Sequence, residues 1–198
     1  MTPFRDLLVE QLPKLRVYAR FLARDRALAD DLVQETILQA LINVEQFTPG
    51  TNINAWLSTI LRNRFLNELR SRSRLAAYVA MPKQERHPFD QEIRLEMRDL
   101  ERAFRSLPEA QSEALWLVAV GGFSYRDAAK IVGCPEGTVK SRANRGRIEL
   151  DRRLASETSN TRPARVQAVM QGIGDRAASR SPAAFVFIVN VKDAATIR

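Results

Sequence analysis

The sequence predicts an all-α protein of two small helical domains joined by a flexible linker, the second domain containing a helix-turn-helix. Three observations carry this. Apolar residues recur at spacings of three and four almost throughout, the period of a helix with one buried face. No alternating strand pattern occurs before residue 185. The helical period lapses once in mid-chain, over residues 76–92, where two prolines interrupt it. This gives a first domain at 1–75, a linker at 76–92, a second domain at 93–155 and a tail at 156–198.

The first helix carries Phe4, Leu7, Leu8, Leu15, Tyr18, Phe21 and Leu22, with Pro13 expected to kink or break it. Asp25 can cap a second helix, whose apolar stripe is expected at Val33, Ile37, Leu41 and Val44. Thr48-Pro49-Gly50-Thr51-Asn52 is a turn signal. Thr51 or Asn52 can cap a third helix bearing Trp56, Leu57, Ile60, Leu61, Phe65 and Leu69. Helical spacing resumes after the linker with Ile93, Met97, Leu100 and Phe104. It breaks at Leu107-Pro108, returns through Ala114, Leu115, Leu117 and Val118, and ends at Gly121-Gly122.

Residues 124–142 are the most specific local signal. Ser124 followed by Asp127 is a capping box, Gly133 offers a left-handed helix end, and Pro135 suits the first turn of the next helix. That helix should bury Val139, Ala143, Gly146, Leu150 and Leu154, turning Gly137, Ser141, Asn144 and Ile148 outward between Lys140 and Arg145. A polar outward face behind a short glycine-containing turn suits a recognition helix in a major groove. An ordinary helical hairpin is the plain alternative. Lys and Arg suit guanine or phosphate; Ser, Thr and Asn serve either. The candidate duplex contacts are Thr138, Lys140, Ser141, Arg142, Asn144 and Arg145.

Charge points the same way. The chain has 31 Lys+Arg against 23 Asp+Glu, a formal net charge of +8, which favours an anionic partner. The excess is concentrated locally: Arg62, Arg64, Arg70, Arg72 and Arg74 are opposed only by Glu68, and Lys140, Arg142, Arg145 and Arg147 by Glu136. In the third helix, Trp56 beside Asn52, Asn54, Arg62, Asn63, Asn67 and Arg70 suits unstacked single-stranded bases, although Trp56, Ile60 and Phe65 would also serve as plain core. In the second helix, Asp31, Gln34, Glu35 and Leu38 lie opposite the expected stripe. A solvated face explains the three polar residues but not Leu38; an acidic patch around one exposed leucine suits a basic protein partner.

Other classes fall away. One cysteine, Cys134, and one histidine, His87, leave no disulfide framework and no multi-cysteine or His-rich metal site. No metal or cofactor is expected. There are no clustered carboxylates, nucleophile motif or phosphate loop with helical support, so no enzyme is expected. No run approaches about 18 apolar residues, and the N-terminus mixes charge into its first ten residues unlike a signal peptide. The expected location is cytoplasmic, with no membrane insertion.

The order of these features resembles a bacterial RNA polymerase sigma factor of the extracytoplasmic-function type, over about residues 5–155. Asp30-Asp31-Leu32-Val33-Gln34-Glu35-Thr36 is similar to the family's core-binding segment. The resemblance implies that it docks on the clamp helices of the largest polymerase subunit. Asn54 to Asn63 looks like the segment that melts and reads the −10 element. Gly137-Thr138-Val139-Lys140-Ser141-Arg142 looks like the start of the −35 recognition helix, and Leu107-Pro108-Glu109 like the opening of that domain's central helices. The implied partners are core polymerase, through its clamp helices and flap, and promoter DNA. The Phe47–Asn52 turn and the Ser124-Tyr125 start are similar to the general-stress sigma group of alphaproteobacteria, which implies a small anti-sigma protein, itself titrated by a sigma-mimicking response regulator. A conventional helix-turn-helix regulator would share residues 124–147 without needing an acidic N-terminal face. A sigma-mimicking response regulator would need a receiver domain that the tail is too short to hold. The tail, with its apolar run Phe185–Val189, departs from the family and reads as disordered or as an accessory docking segment.

Overall fold

The computed structural model describes residues 4–78 and 102–157. Every regular element among them is helical. The chain divides into two compact units, Met1–Gln91 and Glu92–Arg198.

In the first unit, α1 (Phe4–Ala23), α2 (Arg26–Ile42) and α3 (Ile53–Tyr78) pack against one another pairwise. α1 runs unbroken through Pro13, against the expected break. The proline removes one backbone hydrogen bond, but Leu8 on one side and Leu15, Tyr18 and Ala19 on the other are all buried. At roughly 1.5–3 kcal/mol per fully buried large apolar side chain, that anchorage outweighs the cost of about 3 kcal/mol for the proline. Arg24, at φ 55°, turns the chain in a left-handed conformation. Asp25 then caps α2, its Oδ1 accepting from Leu28 N–H at 2.7 Å.

The packing phase of α2 differs from the expected stripe. The buried residues are Ala29, Leu32, Val33, Thr36 and Ala40. Of the expected set only Val33 is buried; Leu41 and Val44 are exposed. Small residues decide this. Ala29, Thr36 and Ala40 fall on one side and let α2 approach its neighbours closely, and the Thr36 hydroxyl is satisfied by donating to Leu32 O at 2.7 Å. A 3-10 turn at Val44–Gln46 follows. Asn52 caps α3, its Oδ1 accepting from Ala55 N–H at 3.2 Å. Ala55, Leu57, Ser58, Leu61 and Phe65 form the buried side of α3. α3 extends to Tyr78, past the residue 76 expected to open the linker; residues 79–92 lie outside the described residues.

In the second unit, residues 102–105 (α4), α5 (Glu109–Ala119), α6 (Tyr125–Val132) and α7 (Glu136–Glu157) form a helical cluster. α5 is its axis, with Ser112 through Leu117 consecutively buried. Ala103, Leu107, Leu115, Leu150 and Leu154 form one core cluster, with Phe104 and Ala119 packed on it. The expected inward side of α7 is observed: Val139, Ala143, Gly146, Leu150 and Leu154 are all buried. The tail at 156–198, expected to be disordered or an accessory docking segment, lies outside the described residues beyond 157.

Gly146 fixes how close α7 comes to α5. A Cβ placed there would sit 3.1 Å from Gln111 O, so a larger side chain must push the helices apart. Gly146→Leu is expected to lower the stability of this unit by about 1–3 kcal/mol. The chain has two tryptophans, so a Trp56→Phe background leaves Trp116, buried in α5, to report urea unfolding of the second unit. An unchanged midpoint would show that the contact is not tight.

Candidate functional site

Three surfaces collect the residues singled out in the sequence. The first is the outward side of α2. Asp31, Gln34, Glu35 and Leu38 are all exposed and share the side opposite the core. The corrected phase enlarges this surface. Leu38 is 56% exposed, Leu41 41% and Ile42 65%, with Val44 at 40% beyond the helix end. Four adjacent exposed aliphatic residues beside acidic ones form a patch of the kind that partners cover. The sequence reading missed Leu41, Ile42 and Val44 because it assigned two of them to the core. The signal that could have found them is the small-residue series Ala29, Thr36 and Ala40.

Glu35 is not a free carboxylate. Its Oε2 accepts from Arg64 Nε at 2.9 Å and lies 2.6 Å from Arg64 Nη2. Arg64 stands on α3, 29 positions away in sequence, which is why local reading could not pair them.

The second surface is on α3. Trp56, Asn63, Asn67 and Arg70 recur at turn spacing on one outward side. Asn63, Asn67 and Arg70 are exposed, and Arg70 Nη1 donates to Asn67 Oδ1 at 3.1 Å. Trp56 is half-buried in a three-ring cluster, with centroids 5.4 Å from Phe47 and 6.3 Å from Phe4. Asn52 is occupied as the α3 cap, Asn54 faces the packed side, and Arg62 is half-buried off the ridge. Arg72 pairs with Glu68 at 2.7 Å, while exposed Arg70 and Arg74 have no carboxylate partner among the described residues.

The third surface is the α6–α7 pair. Ser124 caps α6, Oγ accepting from Asp127 N–H at 3.0 Å. Gly133, at φ 70° and ψ 40°, takes the left-handed position that ends it. α7 opens at Glu136, one residue after Pro135, whose carbonyl accepts from Thr138 and Val139 N–H. Lys140, Asn144 and Arg145 are exposed on the outward side; Thr138 and Ser141 are half-buried, with Ser141 Oγ donating to Thr138 O at 3.0 Å. Arg142 lies off this side, its Nη1 3.8 Å from Cys134 Sγ.

Among the described residues, charge compensation on α7 is confined to its second half, at Glu149. Arg147 donates to Asn144 Oδ1 at 3.2 Å. Arg152 and Arg153 both bond Glu149, each at 2.7 Å. Hydrogen bonds first from Arg152, then from Arg153, hold the Glu149 carboxyl down to about 2, and Glu149 in turn raises Arg152. Lys140 and Arg145 have no carboxylate partner among the described residues.

Among the described residues no cluster of His, Cys, Asp or Glu could hold a metal ion, and no helix is long and apolar enough to cross a membrane. A helix-turn-helix with an uncompensated polar and basic outward side, and a separate three-helix unit with an Asn/Arg ridge, define a DNA-binding transcription factor. Residues 8–75 match Sigma-70 region 2 and residues 97–150 match Sigma-70, region 4. The chain is 46% identical over 148 residues to ECF RNA polymerase sigma factor EcfG of Rhodopseudomonas palustris, covering 74% of this chain and 82% of that protein. It is 34% identical over 143 residues to ECF RNA polymerase sigma factor SigM of Mycobacterium tuberculosis, covering 71% of each. Among solved structures, the sigma factor RpoE of Bartonella quintana, crystallised with the anti-sigma factor NepR, matches with a TM-score of 0.66 at 35% identity, over 80% of this chain and 100% of that one. The chain belongs to the ECF RNA polymerase sigma factors, transcription initiation factors that direct the polymerase to promoters.

Glu149 generates a pH prediction. Its folded pKa lies below the ordinary carboxyl value of 4.5, so its contribution to stability is present above about 4.5 and is lost as pH falls towards 2. The difference in thermal midpoint between the wild type and Glu149→Gln should be constant above about pH 5 and shrink below it. A difference independent of pH down to 2.5 would refute the ion-pair account.

Proposed function

We propose that the first unit binds core polymerase through the outward side of α2 and captures −10 bases along the α3 ridge, and that the second reads duplex −35 DNA through α7. The observation that carries this reading is the combination of an acidic, aliphatic exposed side on α2 with two separate basic sides on α3 and α7. A conventional repressor has no use for the first. Asp31, Gln34, Glu35 and Leu38 serve polymerase, joined by Leu41 and Ile42. Asn63, Asn67 and Arg70 serve the separated strand, with Trp56 as a stacking platform and Asn52, Asn54 and Arg62 as supports. Lys140, Asn144 and Arg145 meet bases and phosphates, with Thr138, Ser141 and Arg142 orienting the start of α7.

The chain performs no covalent chemistry: its free energy goes into positioning polymerase and holding unstacked bases. It acts in the cytoplasm, where core polymerase and promoters are. An anti-sigma protein covering the α2 patch would silence it. The relative crystallised with the anti-sigma factor NepR supports this, and the resemblance of the Phe47–Asn52 turn and the Ser124-Tyr125 start to the general-stress group extends the proposal to a stress response.

Run-off transcription with core polymerase tests the division of labour. Arg145→Ala should cost about 1–3 kcal/mol of −35-dependent initiation while core affinity stays at the wild-type value. Equal loss of core binding would overturn the role given to α7. Leu38→Asp should weaken core binding about tenfold without altering the fold, since the side chain is 56% exposed. Undiminished capture of core in a pull-down would remove α2 from the interface.

A further inference from the structure

The geometry points to Arg64 as a positioning residue for polymerase binding rather than a contact for DNA. This rests on the reading that Glu35 meets polymerase. Arg64 belongs by sequence to the basic run of α3, and composition alone would give it to the nucleic acid with its neighbours. The structure separates it from them. Asn63, Asn67 and Arg70 lie along one outward side, and Arg64 lies about a quarter-turn or more away, towards α2.

There its guanidinium reaches Glu35 through two nitrogens, Nε at 2.9 Å and Nη2 at 2.6 Å, both on Oε2. Two guanidinium nitrogens converging on one oxygen restrain the position of Oε2 and so narrow the rotamers open to Glu35. Oε1 takes no bond from Arg64 or, among the described residues, from any other donor, and is open to a donor from a partner. Glu35 stays half exposed and Arg64 39% exposed, so an approaching partner can reach the carboxylate. Pre-orienting a long acidic side chain removes rotamer entropy that docking would otherwise have to overcome. The neighbouring groups suit a basic partner around an apolar contact: Asp31 and Leu38 lie one turn to either side of Glu35. A cation from the partner bonding Oε1 would then add to the Arg64 contact rather than replace it.

The consequence is a coupling with a definite sign. Core-polymerase affinity is measured with full-length labelled protein for the wild type, Glu35→Ala, Arg64→Ala and the double variant. Each single change should weaken binding roughly threefold, and the double variant should be no weaker than Glu35→Ala. Arg64→Lys keeps the charge but loses the two-point hold, so it should recover only part of the affinity. Open-complex formation at saturating polymerase and the unfolding midpoint of the first unit should be unchanged in Arg64→Ala; a merely structural role would move the midpoint. Wild-type core affinity in Arg64→Ala, or multiplicative losses in the double variant, would overturn the proposal. So would loss of open complex at full core affinity, which would make Arg64 a DNA contact. If Glu35→Ala binds core normally, the interface reading of Glu35 falls along with the proposal. If Glu35→Ala is weakened and Arg64→Ala is not, only the proposal falls.

Discussion

Ala29, Thr36 and Ala40 let α2 lie close against α1 and α3, and that close approach sets the rotation of the helix about its own axis. A helix rotated by one residue presents a different surface, because successive side chains are about 100° apart. With the small residues inward, Leu32 and Val33 fill the space between them, and Thr36 satisfies its own hydroxyl against Leu32 O. The outward side then follows without further choice: Asp31, Gln34, Glu35, Leu38 and Ile42. A helix packed on Ile37 and Leu41 instead would have hidden Leu41 and left a smaller aliphatic patch around Leu38.

The same economy of sides governs the basic helices. α3 and α7 each carry several arginines, and each pairs some of them with carboxylates of the chain. Glu68 holds Arg72, Glu35 holds Arg64, and Glu149 holds both Arg152 and Arg153. Exposed pairs of this kind add little stability, typically up to about 1 kcal/mol. Their larger effect is on the field. Among the described residues Arg70 and Arg74 on α3 and Lys140, Arg142, Arg145 and Arg147 on α7 have no carboxylate partner, and of these Arg70, Lys140 and Arg145 stand on the sides proposed for nucleic acid. A net charge summed over the chain conceals this distribution.

What was legible in the sequence depended on the range of the interaction. The α6–α7 turn was readable because each determinant acts within four residues: the Ser124 cap, the left-handed Gly133 and the run of buried positions from Val139 to Leu154. Asn52 and Asp25 were readable as caps for the same reason. The phase of α2 was not, because Ile37, Leu41 and Val44 are as apolar as the residues that are buried; only the neighbouring helices decide between the two stripes. Pro13 misled for a related reason. Its local cost is real, but side chains on both sides of it are held by partners far along the chain. The Glu35–Arg64 pair joins two helices through the three-helix packing itself, and no local pattern announces it.

The small number of uncompensated cations on α7 has a consequence for how a promoter is found. Each phosphate neutralised contributes a salt-dependent increment through counterion release. Lys140 and Arg145, with Arg147 half-buried behind them, can neutralise only about two or three phosphates. On the role proposed for α7, so few phosphate contacts give weak duplex binding by themselves, and the base contacts serve to discriminate rather than to hold. Tethering to polymerase changes this, because the second contact becomes intramolecular and is governed by an effective concentration rather than by the free protein. A weak recognition helix is then an advantage. In that proposal the chain alone would escape titration by the excess of non-promoter DNA. Bound to polymerase, the same modest contacts suffice to rank one promoter above another.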